Sequence, residues 1–179
     1  MAGPIYGAHV LMLVFAILAA LLLVYAALHD IAARTVPNWL PLCLAALGCG
    51  ARLADHSLLA GAVVALVTFG VLFGLWLAGA MGGGDVKLWA ATALIIPPFL
   101  RPQLGFLLNV LLLGGALAIL YLLLRVCVPR PRASRRGTLL RRIVRAEAWR
   151  IGRRAPLPYA CAIAGGALAT LLPLSFSVR

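Results

Sequence analysis

The chain has 179 residues, of which 64% are hydrophobic and 11% are charged, and its mean hydropathy is +1.07. This length allows one domain, and so large an apolar fraction excludes an ordinary soluble globular protein and favours a chain that has the bilayer as its solvent. The net charge of +12 would suggest nucleic acid in a soluble protein, but most of it lies in one segment between apolar runs, so an anionic lipid surface is the better partner and nucleic acid is not expected.

Six apolar runs predict an all-α, polytopic membrane protein of about six transmembrane helices, because a helix needs about 20 apolar residues to cross a bilayer. Four of the runs are long: 8–28, 57–79, 104–124 and 157–178. Two are short, namely 39–54 and 86–100. The first of these contains Arg52, which we expect to snorkel to the interface. The second ends in Pro97-Pro98, a natural helix stop.

Charge predicts the orientation of these helices. Residues 125–154 hold eleven of the sixteen basic residues, and the positive-inside rule places such a loop in the cytoplasm. Counting back through six spans puts the loops 30–38 and 82–87 on the same side and both termini outside. The whole chain, 1–179, is therefore predicted to be a single membrane-embedded domain with a basic cytoplasmic loop at 125–154.

The basic loop has a pattern of its own. Within 138–154, apolar residues recur near helical spacing with arginines between them. This pattern favours a basic amphipathic helix on the anionic phospholipid of the inner leaflet, although a solvated basic linker is nearly as good an interpretation.

Two carboxylates are the main candidates for chemistry. The chain has only four acidic residues, and two of them, Asp30 and Asp85, stand at the edges of long apolar runs, where an ionised group is costly. Six crossings put both on one face, where they can share a site. Paired carboxylates in a poorly solvated place suit acid–base hydrolysis, and one of the pair is expected to hold a proton. For either aspartate alone, a helix cap or an interfacial ion pair is the simpler interpretation.

Three glycines, Gly82, Gly83 and Gly84, precede Asp85. They predict either a flexible turn between two helices or a backbone that a substrate strand can approach closely, since no Cβ is in the way. No G-K-[ST] follows them, so a phosphate-binding loop is not expected. No cluster of His, Cys and carboxylate side chains has ligand spacing, so neither a metal nor another cofactor is predicted.

These residues carry a resemblance to the type IV prepilin peptidases. The run Gly82-x-Gly84-Asp85 resembles their G-x-G-D signature, and Asp30 followed by Arg34 and Val36-Pro37-Asn38 resembles their first aspartate motif. Pro156-Leu157-Pro158-Tyr159, leading into Gly165-Gly166, is similar to their proline-containing last helix.

The resemblance implies an aspartic endopeptidase of the bacterial inner membrane, with Asp30 and Asp85 catalytic. It implies a prepilin-like membrane substrate whose basic leader is cut at the cytoplasmic face. The chain is similar to the small form associated with Flp/Tad pili and lacks the cysteine-containing insert of larger members, so methyltransferase activity is not implied.

Supporting roles fall on the glycines and on Lys87, Arg34 and Asn38. Lys87 and Arg34 are either electrostatic partners of the site or topology charges facing headgroups. Asn38 either hydrogen-bonds near Asp30 or simply begins a helix. A small ion- or proton-coupled transporter using Asp30 and Asp85, and a non-enzymatic membrane scaffold, are the alternative functions.

Overall fold

A computed structural model describes the backbone of residues 4–127 and 157–176 and the side chains of residues 10–124 and 157–172. Its described parts are all-helical. The helices are α1 (Pro4–Ala33), α2 (Trp39–Ala54), α3 (Leu58–Leu77), α4 (Gly83–Ile95), α5 (Leu100–Cys127) and α6 (Tyr159–Phe176). Apart from the end of α5, the predicted basic loop 125–154 and its amphipathic helix lie outside the described residues.

The chain is a multi-pass membrane protein by the length and composition of these helices. Stretches of α1, α3 and α5 are long and apolar enough to cross a bilayer: Val10–Ala33, Leu58–Leu77 and Leu100–Leu124. Helices α2 and α6 are shorter apolar helices. Leucine, valine and phenylalanine side chains on the long helices are largely exposed, as expected of surfaces that face lipid.

The short helix α4 is the centre of the bundle. It contacts α2, α3 and α6, whereas α1 packs on α2 and α6, and α5 packs on α6. From Leu88 to Ile95 every side chain of α4 is buried. Trp89 extends this core, since its ring stacks on Tyr159 of α6 and meets Phe106 of α5 edge-on. A helix surrounded by protein in this way does not need the length of one that meets lipid along its whole surface.

Small residues let α5 and α6 approach closely. A Cβ built on Gly166 would lie 2.6 Å from Val110 Cγ2 and 2.8 Å from the Val110 backbone nitrogen. Beside this contact, Asn109 Nδ2 donates a hydrogen bond of 3.1 Å to Thr170 Oγ1. Small side chains and interhelical hydrogen bonds replace the hydrophobic effect between helices in lipid.

Long-range contacts define two ends of the bundle. At one end Asn38, before α2, accepts a hydrogen bond from Lys87 of α4, and Arg34, after α1, donates to Tyr121 late in α5. At the other end Arg52 of α2 donates to the Ile95 carbonyl of α4. The helices therefore alternate in direction, and the predicted arrangement that brings 30–38 and 82–87 to one end is present. We call this the site end, and the opposite one the far end.

The predicted spans differ from the helices at two places that matter. The first span was expected to stop at Leu28, but α1 continues to Ala33, so Asp30 lies inside the helix rather than in the loop. Nothing in His29-Asp30-Ile31-Ala32-Ala33 breaks a helix. The fourth span was expected to begin at Val86, but α4 begins at Gly83, which places Asp85 in its first turn.

The expectation that Arg52 snorkels to the interface is wrong. Its side chain is only 4% exposed and forms a salt bridge with Asp55, and its NH2 group donates to the Ile95 carbonyl at 3.3 Å. Gly61 of α3 leaves the room for it, since a Cβ there would lie 2.8 Å from Arg52 Cγ. Arg52 therefore joins α2, α3 and α4 at the far end.

Gln103 completes the far end of α4. Pro97 lacks the N–H that would continue the helix, so the Ala93 carbonyl loses its usual partner. Instead, Gln103 Nε2 donates to the Ala93 carbonyl oxygen at 3.0 Å, and it also donates to the Ile96 carbonyl oxygen at 3.0 Å. Buried carbonyls at the end of α4 are thus satisfied by side chains from α2 and α5.

We expect Arg52→Leu to destabilise the fold by about 1–3 kcal/mol, because the buried Ile95 carbonyl would lose its donor. Arg101→Leu is the matched control, since Arg101 is exposed in the first turn of α5 and the same charge is lost. Thermal unfolding in detergent micelles measures both. Equal melting temperatures for the two variants would contradict this role of Arg52.

Candidate active site

Asp30 is a buried carboxylate that contacts the last helix. It lies in the final turns of α1 and is only 5% exposed. Its Oδ2 atom accepts a hydrogen bond of 3.2 Å from the backbone N–H of Ala160. Ala160 stands in the first turn of α6, where backbone N–H groups have no partner within the helix. The start of α6 therefore supplies Asp30 with a donor from 130 residues away in sequence.

Asp85 and Asp30 line the same cavity. The cavity has a volume of about 360 Å³ and is lined by Asp30, Arg34, Thr35, Val36, Asn38, Gly82, Gly83, Gly84, Asp85 and Leu157. Asp85 is half-buried. The two carboxylates are close enough for their charges to interact, and Tyr159 lies close enough to interact electrostatically with Asp85. We call this cavity the aspartate cavity.

The three glycines permit close packing at the entrance of α4. A Cβ on Gly82 would lie 2.9 Å from Asp85 Oδ2, in the space that the carboxylate occupies. A Cβ on Gly84 would lie 3.1 Å from Val36 Cβ, so this glycine lets α4 approach the loop after α1. A Cβ on Gly83 would lie 3.2 Å from the indole nitrogen of Trp76. All three also line the aspartate cavity.

Arg34 ends α1 and lines the aspartate cavity. Its backbone has φ of 56°, in the left-handed region that terminates helices, and its N–H donates to the Asp30 carbonyl at 2.8 Å. A residue with a side chain adopts this conformation at some cost. The side chain offsets that cost by contacts with Tyr121, where NH2 donates to the hydroxyl at 2.9 Å and the guanidinium lies 5.5 Å from the ring centroid.

We expect Tyr121→Phe to lower the free energy of unfolding by about 1 kcal/mol, because it removes the acceptor hydroxyl and keeps the aromatic ring. Tyr25→Phe is a suitable control, since Tyr25 is 43% exposed and its ring contacts the rings of His29 and Trp39. Unfolding in detergent measures both variants. A smaller effect at Tyr121 than at Tyr25 would contradict the contact with Arg34.

Lys87 and Asn38 form a polar pair beside the cavity. Lys87 Nζ donates a hydrogen bond of 3.1 Å to Asn38 Oδ1, and both side chains are exposed. Asn38 precedes α2 without capping it through its side chain. Lys87 does not pair with Asp85, as expected from their separation by two positions on one helix.

The structure brings together most of the residues that the sequence singled out. Asp30, Asp85, the three glycines, Arg34 and Asn38 line one cavity, whereas Lys87 lies next to it through Asn38. Sequence reasoning did not assign the backbone N–H of Ala160 or the Arg34 partner Tyr121. The predicted span 157–178 does contain α6, and Pro158-Tyr159 marks the start of that helix. No sequence pattern around Tyr121 indicates that it contacts Arg34.

The chemistry available to this arrangement is proton transfer. Two carboxylates that share a poorly solvated cavity cannot both be ionised at low cost, so one tends to hold a proton that it can give away. An ionised and a protonated carboxyl on opposite sides of a bond are the acid and base that hydrolysis requires. The three glycines line the same cavity as the two carboxylates.

Comparison with known proteins gives one family. Residues 8–123, more than half of the chain, match the sequence profile of the type IV leader peptidase family. The matched segment contains Asp30 and Gly82 to Asp85, whereas α6 follows it. No curated protein and no solved structure matches the chain significantly.

Proposed function

Because the chain belongs to the type IV leader peptidase family, we propose that this membrane protease is an aspartic endopeptidase that removes the basic leader from type IV pilin-like precursors of the Flp/Tad class. The observation that carries the aspartic mechanism is that Asp30 and Asp85 line one cavity at one end of the bundle. The family match supports the protease; the carboxylate pair supports its chemical type.

Asp30 is the ionised member of the pair in this proposal. A hydrogen bond to a charged group contributes about 1.5–3 kcal/mol, and the Ala160 N–H donates one to Asp30 from the positive end of α6. Asp85 lies at the N-terminal end of its own helix, where the helix dipole stabilises the ionised carboxylate by about 0.3–1 kcal/mol. Within the described part of the chain, no side-chain or backbone group donates a hydrogen bond to its carboxylate. The direct bond is the larger effect, so Asp85 holds the proton.

The hydrolytic step follows from this assignment. Ionised Asp30 takes a proton from water as the water oxygen attacks the scissile carbonyl carbon, and Asp85 gives its proton to the carbonyl oxygen. The resulting gem-diol returns one hydroxyl proton to Asp85 as the carbonyl re-forms and the C–N bond breaks. The departing amine takes the proton held by Asp30. Both carboxyl groups then have their starting protonation.

The cleavage is proposed to occur at the cytoplasmic face of the bacterial inner membrane. The basic residues of 125–154 support this orientation through the positive-inside rule. They would hold that segment on anionic phospholipid. Arg34, Asn38 and the three glycines line the cavity and would shape the substrate-binding site, and Lys87 supports Asn38.

The transporter alternative receives less support. A transporter is expected to carry ionisable groups near the middle of the membrane, at a repeat interface. Asp30 and Asp85 instead lie at one end of the helices, with the loop 35–38 forming part of their cavity. This position suits a substrate bond presented at the membrane boundary.

The test is cleavage of a leader-bearing precursor by the purified protein in phospholipid vesicles. Mass spectrometry of the product identifies the new N-terminus. We expect cleavage between the basic leader and the apolar segment, unaffected by reagents that block serine and cysteine nucleophiles. If the folded protein releases no leader from any pilin-like precursor, the proposal is overturned.

A further inference from the structure

A second, apolar groove lies between α2, α3 and α4. Its volume is about 390 Å³. Its apolar walls are Pro41, Leu42, Ala45, Ala65, Leu66, Phe69, Ala90, Ala91 and Leu94. Leu42 and Leu66 at its rim are each 69% exposed. The groove is therefore open along the side of the bundle that faces lipid.

The groove and the aspartate cavity adjoin. Asn38 lines both of them, and Lys87, whose Nζ donates to Asn38, lines the groove two residues after Asp85. A peptide held across the two carboxylates can therefore continue past Asn38 into the groove without leaving the protein surface.

The walls suit a helix. Ala45 follows Pro41 by four residues in α2, Phe69 follows Ala65 by four in α3, and Leu94 follows Ala90 by four in α4. Each wall thus presents one face of its helix. Alanines within these walls let another helix approach closely, which is how helices associate in lipid.

The charge at the groove mouth indicates which part of the precursor, before or after the scissile bond, enters the groove. Lys87 stands at the groove mouth, so a basic segment is repelled there and an apolar one is not. We propose that this groove binds the apolar membrane helix of the precursor on the side of the cleavage point away from the basic leader. This inference rests on the proposed function, since it assumes a peptide cut between Asp30 and Asp85.

The test fills the groove. Ala45→Phe places a ring in it, and Ala46→Phe adds the same ring at the neighbouring exposed position, which does not line it. Each variant is assayed in vesicles of phosphatidylethanolamine and phosphatidylglycerol on two substrates: a full precursor, and a shortened peptide that keeps the leader and scissile bond without the apolar segment.

We expect Ala45→Phe to lower kcat/KM on the full precursor at least tenfold, mainly through KM, and to change cleavage of the shortened peptide less than twofold. Ala46→Phe should match the unsubstituted enzyme on both. Normal cleavage of the full precursor by Ala45→Phe, or equal loss on both substrates, would overturn the groove assignment and leave the protease assignment intact. Cleavage of neither substrate by the unsubstituted enzyme would instead overturn the proposed function.

Photocrosslinking gives an answer that does not depend on turnover. With Asp85→Asn present to prevent cleavage, a benzophenone side chain replaces Leu66, which lines the groove, or Val67, which is 61% exposed and does not line it. We expect the precursor to crosslink from position 66 and not from 67. Crosslinks from position 66 to phospholipid alone would assign the groove to lipid and overturn the inference.

Discussion

Asp30→Asn and Asp85→Asn will each reduce precursor cleavage by about 10³-fold or more, because each removes one of the two groups that move protons in the proposed reaction. Asparagine has the shape of aspartate, and its side-chain oxygen can still accept the Ala160 N–H at position 30. The fold should therefore survive both substitutions. Initial rates of leader release, measured with equal amounts of membrane-inserted enzyme, test the expectation.

Asp55→Asn is the matched control for the two aspartate variants. Asp55 lies at the far end of the bundle, where it pairs with Arg52, and its carboxyl group is remote from the aspartate cavity. We expect its rate to stay within a few-fold of the unsubstituted enzyme. Full cleavage by either cavity variant would exclude the aspartic mechanism, and equal loss in all three would indicate damage to the fold.

Gly82→Val will reduce cleavage about 10²-fold through displacement of a reacting group, since a misplacement of about 1 Å can have this effect. A Cβ at position 82 falls 2.9 Å from Asp85 Oδ2, and the carboxylate must turn away to make room. The backbone itself tolerates the change, because Gly82 has φ of −73°. The loss should appear in kcat more than in KM.

Gly70→Val separates this effect from a general effect of removing glycine. Gly70 lies within α3, and a Cβ there has no neighbour within 4 Å. Its rate and melting temperature should stay close to those of the unsubstituted enzyme. Normal turnover by Gly82→Val would show that the glycine is not needed to place the Asp85 carboxylate.

Hydropathy was enough to predict most of the helices. The predicted second span coincides with α2, Trp39–Ala54, and the predicted third span, 57–79, encloses α3, Leu58–Leu77. The pattern could not fix the end of α1, because Ile31-Ala32-Ala33 continue a helix and the stop comes from the backbone of Arg34. It also predicted Arg52 wrongly. A cation near the end of a short apolar run looks like an interfacial residue unless its buried partners, the Ile95 carbonyl and Asp55, are known.

Part of the candidate site could also be predicted from the sequence, for a different reason. Asp30 and Asp85 stand out because the chain has only four acidic residues, and Gly82 to Gly84 because they are consecutive. The alternation of spans placed them at one end. The donor to Asp30 is a backbone N–H, which every residue except proline has, so no side chain marks Ala160. Tyr121 is hidden in the same way, because only the fold brings it to Arg34, 87 positions earlier.

The hydrogen bond between Ala160 and Asp30 has a consequence for biosynthesis. Asp30 belongs to α1 and Ala160 to α6, so Asp30 leaves the ribosome well before its hydrogen-bond donor, and domains form from the N-terminus as synthesis proceeds. A nascent chain that has just completed α5 already has both aspartates in the membrane but lacks the amide that we propose keeps Asp30 charged. We therefore expect proteolysis to begin only after insertion of α6, so that a half-made enzyme does not cut neighbouring membrane proteins.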